Sequence, residues 1–355
     1  MGKQWVRTVG FMMVALWVTG VAHAGDSAVK VFVSVLPQKL FVERIGGERV
    51  EVSVLVSPGE SPATYRPKPS KVAKLAASDL YFRIGVPFEN HLLPKVESFA
   101  KGLTIVDTRK GVALRTMTEP HHHDDHSGPH EAHDDHHGEM HHESEHDDHH
   151  GEVAHHEEGH HHEGHHREEA HHAEDGHDMH GEERHDHEGT DPHIWMDPMR
   201  VKIQAKTMRD ALVAQDPEGK GVYMKGYAAF AKELEALDAE LSKVLAPLKG
   251  SALYVYHPAF GYFADAYGLV QKAVEVEGKR PKGRLLAQFI KQARGDGAKV
   301  IFVQPQFDRH TAQKIANAIG GTVIALDPLA PEYVKNLKMM AESVRENISS
   351  QKIID

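Results

Sequence analysis

Short apolar runs alternate with segments of helical spacing in two separate blocks of this sequence, and that rhythm leaves few folds open. In the first block, runs at 31–35, 50–56, 80–83 and 103–106 read as strands. Segments at 38–45, 70–77 and 89–100 read as helices between them. The second block repeats the pattern, with strands at 252–256, 270–276, 300–303 and 322–326. Its helices are placed at 259–267, 285–294 and 311–319, with a last one beginning at Pro331. Strand–helix alternation predicts the α/β class: two lobes, each a parallel sheet flanked by helices.

Between the blocks, residues 199–246 read as helix, broken at Asp216-Pro217. In the second half Tyr223, Tyr227, Phe230, Leu234, Leu237 and Leu241 recur every three or four residues, which makes one apolar stripe. A helix of that extent would be roughly 40 Å long. It could run the length of a two-domain protein or pack on one domain, and periodicity alone leaves both open. The predicted organisation is an N-terminal lobe at 25–217, a connecting long helix at 218–246 and a C-terminal lobe at 247–355.

The first 24 residues stand outside this scheme. Lys3 and Arg7 precede an apolar run at 9–21, and Ala22-His23-Ala24 offers small residues at both positions of a cleavage site. These are the marks of a signal peptide cleaved after Ala24. No later run is apolar and long enough to cross a bilayer. The sequence contains no cysteine, so it has no disulfide, no thiolate metal ligand and no cysteine to carry a lipid. The expectation is a free periplasmic monomer in which any metal site is built from His, Asp, Glu or water.

Charge is distributed unevenly. Residues 121–187 hold 26 of the 31 histidines, 22 acidic residues and two arginines, so they carry −20 of a formal net charge of −11 and leave about +9 elsewhere. The basic remainder shows no Lys/Arg stripe interleaved with aromatics, which excludes a nucleic-acid site. A segment so poor in apolar side chains cannot offset its ordering entropy, so 121–187 is predicted to be a disordered insert in the first lobe. Runs such as His121-His122-His123 and His160-His161-His162, with interleaved carboxylates, would bind several divalent ions weakly and release them on acidification. Capture, buffering and passing ions onward are all open roles.

Ligands of open α/β sheets bind beyond the carboxyl ends of the strands. His257 follows the strand ending at 256, Asp327 follows the strand ending at 326, and His193 lies in Asp191-Pro192-His193-Ile194-Trp195, just past the insert. Imidazole nitrogen and carboxylate oxygen are suitable zinc donors. His193 would come from the first lobe, and His257 and Asp327 from the second, so an ion would be held in a cleft between them. His91 and His310 read as surface residues of helices, and Trp195 and Phe260 as core or cleft wall.

At this point the chain resembles a known family, the zinc-uptake (ZnuA/TroA-like) members of the metal-binding ABC-importer substrate-binding proteins. The marks are Pro58-Gly59-Glu60-Ser61-Pro62 with Tyr65-Arg66-Pro67, Ala77-Ser78-Asp79-Leu80, the segment around His193, residues 256–263 and residues 301–307. The acidic histidine-rich segment ahead of His193 also fits the zinc branch. The resemblance implies two α/β lobes joined by one rigid long helix, with positions His193, His257 and Asp327 as metal ligands. It favours zinc over manganese, because manganese-type members tend to place Glu at position 257. One departure stands out. The family usually has His directly after the second proline of the first motif, and here that residue is Ala63. The set falls to three protein ligands, with water, Glu60 or a histidine of 121–187 as candidates for the fourth.

The resulting expectation is a periplasmic binding protein that captures Zn2+ between its lobes and delivers it to a cognate ABC permease and ATPase of the inner membrane. A zinc buffer or store without a transporter is an alternative, as are other metals (Mn, Fe, Ni). A zinc-dependent hydrolase is a further one, but the sequence has no HExxH motif and no paired general base near the ligand segments, so an enzyme is not expected.

Overall fold

The structure is a computed structural model that describes residues 28–117, 189–275 and 283–349. The readings placed at 1–24 and 121–187 lie outside those residues. Strands β1 (Val29–Val33), β2 (Val50–Val54), β3 (Leu80–Arg83) and β4 (Thr104–Asp107) form one sheet in the order β2-β1-β3-β4. Strands β5 (Ala252–Val255), β6 (Val270–Ala273), β7 (Val300–Val303) and β8 (Thr322–Ala325) form a second in the order β6-β5-β7-β8. Every pairing is parallel. The two sheets therefore have the same topology, with β1 corresponding to β5 and β4 to β8. The expected two parallel α/β lobes are what the structure shows.

Proline and glycine punctuate the helices. Helices α2 (Pro69–Ala76), α3 (Pro87–Phe99) and α4 (Pro198–Gln215) each begin on a proline, whose missing N–H costs nothing in a first turn. Helix α1 (Leu36–Gly46) ends at Gly46-Gly47, where Gly47 has φ 55°. Asp197 caps α4 by accepting from the Met199 N–H at 2.8 Å. The second lobe adds α6 (Gly261–Tyr267), α7 (Arg284–Gly295), α8 (Arg309–Ala318) and α9 (Tyr333–Ser349).

Helix α5 (Lys220–Leu245) is the connecting helix, and its 26 residues make it about 39 Å long. It packs on α1 and α4 of the first lobe and on α6 and α9 of the second. Of the predicted stripe, Tyr223, Phe230, Leu234, Leu237 and Leu241 are buried, and Tyr227 is half-buried under the Arg209 guanidinium. Gly226 is needed where it stands, because a Cβ there would lie 2.3 Å from the carbonyl oxygen of Ile45 at the end of α1. The final helix does not stay with its own lobe. Tyr333 of α9 meets Phe41 of α1 edge-on at 4.9 Å, and Phe41 also meets Phe230 of α5 at 5.6 Å. One hydrophobic cluster consequently runs from β1 to α9, and a second covers the other face of the C-terminal sheet.

The predicted break at Asp216-Pro217 is a short 3-10 turn (Pro217–Gly219), and Asp216 pins it to the first lobe. Its carboxylate accepts from Arg49 at 2.8 and 2.9 Å, from the Tyr223 hydroxyl at 2.6 Å and from the Gly219 N–H at 3.1 Å. The Arg49 hydrogen bond is the largest of the causes that hold this carboxyl at about 2. An unfolded aspartate takes up its proton near pH 4, so the folded state loses this contribution as pH falls from about 4 toward about 2. Solvent reaches both side chains, and Asp216→Ala is expected to cost about 1–2 kcal/mol at pH 7. Urea unfolding at pH 7 and pH 3 checks this. The gap between variant and wild type should narrow at the lower pH, and a gap that widens would show the carboxylate is not the source. Among the described residues no helix is long and apolar enough to cross a membrane.

Candidate metal centre

His257 lies two residues beyond β5, at the end of the sheet where a ligand is expected. Its Nδ1 donates to Glu275 Oε2 at 2.7 Å, two residues beyond the neighbouring strand β6. Its backbone N–H meets Gln304 Oε1 at 3.3 Å, and Gln304 Nε2 returns a bond to the His257 carbonyl at 2.7 Å. Phe307 stacks on the imidazole with ring centres 4.7 Å apart. Burial pushes the His257 pKa down and the facing His193 adds to that, outweighing the opposite pull of Glu275. These surroundings favour the neutral ring, the form that binds metal.

His193 opens a 3-10 turn (Ile194–Met196) that runs directly into the cap of α4. Its Nδ1 donates to Asp191 Oδ1 at 2.7 Å, and the same oxygen accepts the His193 backbone N–H at 2.9 Å. Burial pushes the Asp191 carboxyl up, but His193 and Arg115 outweigh it and hold the group below its ordinary value. The two imidazoles face each other edge to face at 5.4 Å. Each has Nδ1 committed to a carboxylate, and among the described residues no hydrogen bond engages either Nε2. A carboxylate on one ring nitrogen fixes the tautomer and leaves the other as a lone-pair donor to a metal.

Asp327 follows β8 and is prepared in a parallel way. Its Oδ1 accepts from Gln306 Nε2 at 2.9 Å and from the Leu329 N–H at 3.0 Å, while the Asn336 amide holds its backbone carbonyl at 2.7 Å. Trp195 Nε1 donates to the Pro328 carbonyl at 2.8 Å, and the Tyr333 hydroxyl donates to the Trp195 carbonyl at 2.7 Å. The His193 turn is thereby tied to the Asp327 loop. A cavity of about 60 Å³ between the lobes is bordered by Ser57, Pro58 and Gly59 from one and by Gln306, Asp327 and Pro331 from the other.

The structure thus brings His193 and His257 together edge to face and sets Asp327 at the same end of the second sheet as His257. Among the described residues no group of three or more His, Cys, Asp or Glu is arranged to hold an ion as it stands. Glu60 is turned to its own loop, where Oε2 accepts the Ser57 N–H at 2.8 Å, and Ala63 is exposed. Tyr65 packs on Phe88, and His91 and His310 are exposed on helices. Sequence reasoning missed Glu275 and gave Asp191 no role. The signal for Asp191 was its place two residues before a histidine, whereas Glu275 is 18 residues from His257 and meets it only because β5 and β6 pair.

A family model described as zinc-uptake complex component A, periplasmic, matches residues 31–347. The high-affinity zinc uptake system protein ZnuA of Paracoccus denitrificans is 33% identical over 164 residues, covering 44% of this chain and 49% of that protein. The chain spans about half the length of the curated relatives it matches first. Among solved structures, one of ZnuA superposes with a TM-score of 0.69 at 30% identity, covering 90% of this chain and 99% of that one. A ZnuA deletion mutant with zinc bound gives 0.68, also at 30% identity, covering 90% and 98%.

Proposed function

This chain belongs to the ZnuA family of periplasmic zinc-uptake components, and from that membership and the paired histidines we propose that it captures Zn2+ between its lobes and delivers it to an ABC permease in the membrane. Its relatives are metal-binding transport components, not enzymes. The observation that carries the proposal is the facing pair His193 and His257, each held through Nδ1 and each offering Nε2. Asp327 is the third ligand, with Oδ1 held by the protein and Oδ2 free to bind. Zinc favours four donors. With Ala63 unable to supply one and Glu60 turned to its own loop, the fourth donor is water or a histidine of 121–187. Binding must also draw Asp327 toward the histidine pair. The chain acts in the periplasm as a monomer after cleavage at Ala24, and residues 121–187 collect ions weakly at many sites.

Thr116 and Thr190 form an antiparallel bridge, and the Met117 N–H donates to the Gly189 carbonyl at 2.7 Å. Deleting 121–187 leaves Thr118, Glu119, Pro120 and Glu188 between these paired ends, a length that ordinary hairpin loops have. The shortened protein is expected to bind one zinc per chain tightly in competition with a chromophoric chelator, and to lose the weak additional sites. Loss of all tight binding on that deletion would overturn the cleft assignment.

A further inference from the structure

We propose that Arg115 is the positioning residue of the zinc site: it clamps the carboxylate that holds His193 onto the helix that follows His257, and so sets the spacing of the two ligands. The inference rests on the zinc-capture reading above and adds a residue that contacts neither ligand directly. Arg115 lies on the segment leaving the first lobe, one residue before the Thr116–Thr190 bridge. Its Nη1 donates to Asp191 Oδ2 at 3.1 Å, while Asp191 Oδ1 holds His193 at 2.7 Å. Its Nε reaches Asp265 of α6 at 3.1 Å. Its backbone N–H donates to the Tyr262 hydroxyl at 3.0 Å, and that hydroxyl donates onward to the Asp191 carbonyl at 2.9 Å.

Helix α6 begins four residues after His257. One guanidinium therefore bridges the His193 turn and the helix that His257 leads into. Gly261, the first residue of α6, makes room for this. A Cβ built there would fall 1.3 Å from Arg115 Nη1 and 2.7 Å from Asp191 Oδ2. Gly261 does not have a positive φ, so the glycine is required by space and not by backbone conformation. A planar, multiply donating guanidinium suits a clamp between two carboxylates, and a lysine ammonium does not reproduce it.

The test is a double-mutant cycle in the full chain, read by zinc competition at the tight site and by the visible spectrum with one equivalent of Co2+. Arg115→Ala and Gly261→Ala are each expected to weaken zinc about tenfold to a hundredfold and to alter the Co2+ band. In a His193→Ala background, Arg115→Ala should weaken zinc no further, because it acts through that histidine. Arg115→Lys, which keeps the charge, should fall between wild type and Arg115→Ala. Additive losses in the cycle, or a wild-type Co2+ spectrum and affinity in folded Arg115→Ala, would overturn the proposal and leave Arg115 a structural residue. If His193→Ala alone leaves zinc binding intact, the zinc-capture reading itself fails. If Arg115→Ala does not fold, the Gly261→Ala and Arg115→Lys arms decide.

Discussion

His257→Ala is expected to lower zinc affinity at least about a hundredfold, near 2.7 kcal/mol at 1.36 kcal/mol per tenfold. The loss is large because this chain has few donors to spare. In the proposed set of His193, His257 and Asp327, removing one imidazole leaves a single histidine and a carboxylate. The change also strands the Glu275 carboxylate, buried with its Nδ1 partner gone. Affinity must therefore be measured on folded protein, and zinc-induced stabilisation gives a second readout. Wild type should melt at a higher temperature with zinc, and the rise should nearly vanish in the variant. His91→Ala, on the exposed face of α3, should behave as wild type in both measurements. Equal affinity for wild type and His257→Ala would remove His257 from the ligand set.

Phe41→Ala should destabilise the fold by about 3–5 kcal/mol. Phe41 is fully buried, and its ring meets Phe230 of the connecting helix and Tyr333 of the last helix. Truncation opens a cavity where three helices from both lobes converge and removes two aromatic contacts, which add to the transfer term. Phe99, on the exposed end of α3, supplies the contrast. It is 54% exposed, and Phe99→Ala should change stability by no more than about 0.5 kcal/mol. Urea midpoints at constant m-value check both. Similar midpoints for the two variants would sink this account of the core. Because one hydrophobic cluster spans the lobes, Phe41→Ala should shift a single transition without splitting it into two.

Much of this architecture was legible in the sequence because it is periodic. The strand–helix alternation, the break at Asp216 and the apolar stripe of α5 are local patterns, and the structure follows them. The apolar run at 50–56 outlasts its strand because Leu55 and Val56 stay buried after the chain leaves β2. The contacts that were not legible are those made by folding in three dimensions. The return of Tyr333 to Phe41 depends on how helices pack, which spacing does not encode. The same holds for the candidate site. His193, His257 and Asp327 could be picked out by their positions after turns and strands, but the groups that aim them could not. Glu275, Gln306 and Arg115 reach their partners only across neighbouring strands or between lobes.

The matched sheet orders carry a consequence for how such a chain can change over generations. In the second lobe the positions just past the strands bear His257, Glu275, Gln304 and Asp327. In the first lobe, counting the same number of residues past each strand, they bear Val35, Val56, Ile84 and Arg109. That end of the first sheet is instead occupied by a sealed network in which Ser34, Tyr81 and two backbone N–H groups all converge on the buried carboxylate of Glu89. One sheet therefore carries the candidate ligands His257 and Asp327 and the other a buried hydrogen-bond network, with His193 on a segment outside both sheets. Ligand-bearing loops that lie outside the sheet hydrogen bonds can drift in sequence without unravelling the strands beneath them. A substitution at an exposed loop position such as Ala63 is then tolerated by the fold.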